Sequence, residues 1–142
     1  RLNELHYVRP LPEDDGSAVP DAFKKINLSL TSFFDLSLNI EGNMLTLTGK
    51  DGEIWYRAER GCWSKISRKV HCSPFYTEKD SMDTPVIGAW GVKNGVLTIR
   101  VYEIEFLEED TLTLTEAEDG IHVSFANTTI PSNPRDYVKK VI

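Results

Sequence analysis

The stretch VIGAWGVKNGVLTIRVYEIEF, residues 86 to 106, constrains the fold more than any other part of the chain. Asn94-Gly95 suits a two-residue type I′ turn, whose central residues both need positive φ. β-branched and aromatic residues, which fit a pleated half-buried surface, dominate residues 96 to 106. Val86 to Gly91 is therefore expected to pair antiparallel with Val96 to Phe106. The second strand carries a conflict. Leu97, Ile99 and Val101 make an apolar odd face, but Glu103 and Glu105 continue it. The even face begins with Thr98 and Arg100 and ends with Tyr102, Ile104 and Phe106. Side chains alternate across a strand, so the buried face is expected to change near Val101-Tyr102. A bulge, or a strand passing from one sheet to another, would do this.

The same period of two recurs on both sides of the hairpin. Leu36, Leu38 and Ile40 alternate with polar residues up to the turn Glu41-Gly42-Asn43. Leu45 and Leu47 come after it, then Lys50-Asp51-Gly52, then Ile54-Trp55-Tyr56. Downstream, Leu112 and Leu114 alternate with threonines, Asp119-Gly120 turns the chain, and Ile121, Val123 and Phe125 make the return. About seven short strands at this spacing predict an all-β sandwich or barrel. Residues 60 to 84 show no clean period and predict at most one weak strand, near Lys69 to Cys72. Ahead of the strands, Phe23, Ile26 and Leu30 fall at helical spacing behind Pro20-Asp21, which predicts one short helix. Residues 1–20, with Pro10, Pro12, Pro20 and an acidic polar run, read as a linker or arm. Residues 21–142 read as a single β-rich domain. The expected fold is an antiparallel lipocalin-like barrel or two-sheet sandwich with an N-terminal arm.

Bulk composition narrows the function classes. A chain of 142 residues, 40% hydrophobic and 27% charged, has the makeup of a globular domain. A domain near this size buries roughly 68–70% of its unfolded surface. The formal charge is −6, from 16 basic and 22 acidic residues. With no Lys/Arg stripe, such a chain is a poor match to a phosphate backbone, and nucleic acid is set aside as a partner. No apolar run approaches the ~20 residues of a membrane span. The chain begins at Arg1 without a basic and then apolar leader, and reads as a trimmed protein or a piece of a longer one. Its compartment stays open, with the periplasm or the exterior favoured over the cytoplasm.

The chemistry-bearing residues are sparse. There is no G-x-S-x-G elbow and no Ser-x-x-Lys; Ser64-Lys65-Ile66-Ser67 has serine where the lysine would be. His71 and Cys72 are adjacent, and adjacent strand residues point to opposite faces, so they do not form a nucleophile–base pair. Cys62, His71, Cys72, His6 and His122 give no metal-ligand spacing, so neither a metal nor a cofactor is expected. Cys62 and Cys72 are either free thiols or a disulfide closing a short loop. Glu103 and Glu105 lie on one strand face about 7 Å apart, a separation open to a glycosidase pair. With Glu108-Glu109-Asp110 beside them, a charged strand edge is the simpler reading. Trp55, Trp63, Trp90 and Tyr102 are the candidate ligand-binding residues. They either line a mouth for a carbohydrate or small apolar molecule, or fill the core, which is the commoner fate of such aromatics. Asn27-Leu28-Ser29 and Asn127-Thr128-Thr129 fit the N-glycosylation pattern.

In order, LPEDDGSAVPDAFKKINLSL, a two-stranded meander, GEIWYRAERGCW, GAW…NGVLTIRVYEIEF and DTLTLTEAEDGIHVSFAN resemble the C-terminal β domain of bacterial serine hydrolases of the β-lactamase/penicillin-binding type. Gly88-Ala89-Trp90, Arg100, Tyr102, Glu103 and Asp110-Thr111 carry the likeness, which spans about Leu11 to Asn127. It implies a lipocalin-like domain reached through a proline-rich linker from a catalytic domain. The family's Ser-x-x-Lys and Tyr-x-Asn belong to that preceding domain, and neither occurs here. The resemblance therefore implies a non-catalytic accessory domain with no catalytic residue of its own and an intramolecular catalytic domain as partner. The alternative is a stand-alone lipocalin-like module that binds a carbohydrate or small apolar ligand.

Overall fold

A computed structural model describes residues 10–31, 34–49, 52, 54–70, 82–103, 108–127 and 135–139. Its strands are β1 (Lys25–Thr31), β2 (Phe34–Glu41), β3 (Met44–Thr48), β4 (Ile54–Arg60), β5 (Ser64–Val70), β6 (Met82–Lys93), β7 (Val96–Glu103), β8 (Glu108–Ala117), β9 (Gly120–Asn127) and β10 (Arg135–Lys139). They form one curled, mostly antiparallel sheet in the order β1-β2-β3-β4-β6-β7-β8-β9-β10, with β5 paired to β6. The protein is all-β. Among the described residues, β1 and β10 end the order, so the sheet is an open half-barrel.

The Asn94-Gly95 hairpin forms as its sequence dictates. Both residues have positive φ, 52° and 78°, and Lys93 pairs with Val96. The register then runs without interruption to Val86↔Glu103. The expected change of face near Val101-Tyr102 does not occur within it. Val101 is buried on the inner face and Tyr102 on the outer face. Both faces are covered there, so apolar residues appear on both.

Two expectations from periodicity need correction. The short helix is a single 3₁₀ turn, Asp21–Phe23, after which the chain enters β1. Ile26 and Leu28 are buried and Asn27 is exposed between them, so the period of two wins over the coincidental spacing of Phe23, Ile26 and Leu30. The weak strand expected near Lys69 to Cys72 falls on β5, which starts earlier, at Ser64; His71 and Cys72 lie outside the described residues. Lys65 and Arg68 hide its periodicity, and its partner β6 supplies the order.

β6 organises the sheet. Of its 12 residues, Met82 to Gly88 pair with β5, while Ala89 and Trp90 pair in parallel with the end of β4. Two strands thus share one edge of β6, and the body of β4 must leave it. Ala58 crosses over Gly88, where a Cβ would stand 3.3 Å from the Ala58 Cβ. This crossing folds the sheet over its inner face. Val86, Trp90, Leu97, Leu114, Leu38 and Leu45 meet there in one apolar core. Trp90 is fully buried, and its Nε1 donates to the carbonyls of Ala58 (3.0 Å) and Asn43 (3.1 Å). Its polar atom is therefore satisfied inside the core.

Candidate functional site

Most of the outer face of this sheet is polar, as for an antiparallel sheet with one side in water. The outer face of β5–β7 differs. Trp63, Ile87, Ala89 and Tyr102 form a second buried cluster, and Leu11 packs against it. Ala89 and Gly91 are small, which leaves the β6 backbone open to close approach. The segment ahead of the first strand, residues 10–20, contains no strand or helix. Part of it fills that opening. A Cβ on Gly91 would stand 2.6 Å from the Glu13 carbonyl oxygen and 2.8 Å from the Asp14 Cβ.

Two arginines fasten this leading segment. Arg60, at the end of β4, donates from Nε and Nη2 to the Asp14 carboxylate, at 2.8 to 3.2 Å. Its Nη2 also donates to the Ser17 carbonyl at 2.6 Å. The guanidinium sits 5.4 Å from the Trp90 ring centroid, within cation–π range. Arg100, on β7, pairs with Glu109 of β8, and its Nη1 donates to the Pro10 carbonyl at 2.8 Å. Glu109 is 5% exposed, and a buried carboxylate of this kind requires a paired cation.

Backbone contacts complete the hold. β4 ends opposite Trp90, so Val92 extends past it. The Asp15 N–H donates to the Val92 carbonyl at 2.8 Å. The Val92 N–H donates to Asp14 Oδ1 at 3.4 Å, and the Asn94 N–H to Asp15 Oδ2 at 3.0 Å. These bonds favour the charged carboxylates. Hydrogen bonds from Arg60 hold the Asp14 carboxyl below its ordinary value, with the Gly16 and Val92 N–H groups adding to the effect against partial burial. Bonds from Ser17 and Asn94 bring Asp15 down to about 2.

A second polar pair lies on the inner face. The Tyr56 hydroxyl of β4 donates to Asp110 Oδ2 of β8 at 2.5 Å, with both residues buried. This bond braces β4 against β8 across the core. Val101 pairs with Asp110, and Tyr102 with Glu109. The adjacent carboxylates of β8 therefore serve opposite faces of the sheet.

The structure divides the aromatic candidates. Trp63 and Tyr102 meet in the outer cluster, 4% and 6% exposed, while Trp90 is sealed on the inner face. Trp55 belongs to β4, but its side chain lies outside the described residues. Glu103 lies in β7 opposite Val86; its side chain, like Glu105, lies outside the described residues, as do His6, His71 and Cys72. Cys62 is a free thiol that donates to Glu59 Oε2 at 3.1 Å. That bond, with burial, pushes its pKa up and keeps it protonated. Among the described residues no three His, Cys, Asp or Glu converge as a metal site, and no helix is long and apolar enough to cross a membrane.

Sequence reasoning missed Arg60, Asp14 and Gly91 as interacting residues. The available signal was Ala89-Trp90-Gly91, whose small residues share one face of a strand. No protein-family model, curated protein or solved structure matches this chain.

Proposed function

We propose that the chain is a non-catalytic accessory domain of a bacterial serine-hydrolase-type protein, a lipocalin-like module that packs near a catalytic domain. The observation behind this reading is the bond from Arg100 Nη1 to the Pro10 carbonyl. Arg100 is one of the residues that carry the resemblance. Here it fastens the proline-bearing segment that would lead from the catalytic domain. Three other matching residues have structural work. Gly88 admits the β4 crossing, Trp90 fills the core, and Asp110 accepts the Tyr56 hydrogen bond. Residues 10–15 are held against the sheet by the bonds at Pro10, Asp14 and Asp15, which supports reading them as a segment docked on the domain rather than a free coil.

The test is to read the coding sequence in frame upstream of Arg1 and to expose its product to a fluorescent penicillin. The proposal expects a domain with Ser-x-x-Lys and Tyr-x-Asn, and covalent labelling of its serine. A start codon and secretory signal directly before Arg1 would sink it. The alternative, a stand-alone module with Trp55, Trp63, Trp90 and Tyr102 in one mouth, has less support, because Trp90 faces away from Trp63 and Tyr102.

A further inference from the structure

The contact between the leading segment and the sheet has the parts of a peptide-recognition site. An extended segment can satisfy the open edge of a strand through main-chain bonds, while side-chain positions give specificity. Val92 supplies the open edge, and Asp15 and Asp14 satisfy its carbonyl and N–H. The Trp63–Tyr102 cluster receives Leu11, and Pro12 is buried. Gly91 supplies the floor on which Glu13 and Asp14 rest. Arg60 reads Asp14 with two nitrogens, the fork geometry that favours carboxylates. The Asn94 N–H reads Asp15. The receiving groups lie on the sheet strands, at Trp63 just ahead of β5 and in the Asn94 turn. The chain leaves the groove through exposed Gly16, Ser17 and Ala18 before it reaches β1.

We infer that this groove is a recognition site for an extended acidic peptide of the form Leu-Pro-x-Asp-Asp, filled in cis by residues 11–15 and able to take a partner segment of the same chemistry in trans. The inference stands whether or not a catalytic domain precedes the chain. A short tether gives the resident segment an effective concentration on the order of millimolar. A free peptide therefore competes poorly with it until the resident carboxylates are removed.

The test uses the full chain and a fluorescein-labelled peptide, LPEDDGSA, monitored by fluorescence anisotropy. Asp14→Ala with Asp15→Ala should bind the peptide at least ~10-fold more tightly than the unmodified chain does. Adding Arg60→Ala to that double variant should weaken binding at least ~10-fold. Adding Gly91→Ala should weaken it too, because the new Cβ occupies the place of the peptide backbone. Circular dichroism and a urea midpoint check that each sheet is folded. Equal peptide affinity in the folded double variant and the unmodified chain would overturn the inference, as would binding indifferent to Arg60. Should the double variant fail to fold, the unmodified chain serves instead. Millimolar peptide should displace the resident segment and speed proteolysis at Gly16–Ala18, and an unchanged cleavage rate counts against the site.

Discussion

On β6, Trp90 and Gly91 are neighbours in the chain and face opposite sides of the sheet. Trp90 is buried mainly by apolar side chains drawn from strands throughout the sheet, with the Arg60 guanidinium near its ring. Gly91 is buried by the backbone of Glu13 and Asp14, which charged hydrogen bonds hold in place. The first kind of burial is non-directional and scales with apolar area. The second depends on a few oriented bonds among partly exposed groups, so it responds to pH and to single substitutions. One strand thus carries a robust face and a conditional one.

The largest expected effect lies on the robust face. Trp90→Ala removes the largest fully buried side chain among the described residues and leaves a cavity, and should cost about 3–5 kcal/mol in urea unfolding. A cost near that of a surface substitution would break the comparison. Tyr56→Phe removes a donor from buried Asp110 and should cost about 1–3 kcal/mol by the same measurement. On the conditional face, Arg60→Ala should cost about 1–2 kcal/mol. It should also make Gly16–Ala18 more sensitive to protease while leaving the sheet's circular dichroism unchanged.

Acid sharpens the contrast further. The folded Asp15 carboxyl sits at about 2, below the ordinary 3.8, and Asp14 is shifted in the same direction. Depressed carboxyl values add stability that is fully present above the ordinary value and is lost as pH falls through the folded one. The segment's hold should therefore weaken as pH drops from 3.8 towards about 2. An NMR titration of the Asn94 amide should show a midpoint near the lower value, and a midpoint at the ordinary one would mean the contact is absent. Smallest of all is Lys93→Ala. Its pair with Glu13 spans 3.6 Å between exposed side chains, and its loss should cost less than ~0.5 kcal/mol.

Legibility in the sequence divides along the same line. Asn94-Gly95 fixed a register because turn chemistry is local, and Leu45 and Leu47 marked a buried face because alternation is local. The helical reading of Phe23, Ile26 and Leu30 failed because so short a window supports either period, and pairing with β2 decides between them. Most of β5 leaves no periodic trace because its order comes from β6. The conflict at Val101-Tyr102 was visible, but its cause was not. For Tyr102 that cause is the outer cluster against which Leu11, far away in the chain, packs; residues 104–106 lie outside the described residues. Arg60 and Asp14 are separated by 46 positions, and no local pattern links them.

Amide hydrogen exchange, measured residue by residue on the unmodified chain and on Arg60→Ala, tests the two-face account most directly. The account predicts that the Asp15 and Asn94 amides exchange at least ~10-fold faster in the variant while the β7–β8 ladder keeps its protection, because local openings need not involve the global core. Equal acceleration of both sets would contradict it, since the leading segment and the core would then be one cooperative unit. Unchanged exchange at Asp15 and Asn94 would contradict it as well, by removing Arg60 from the hold.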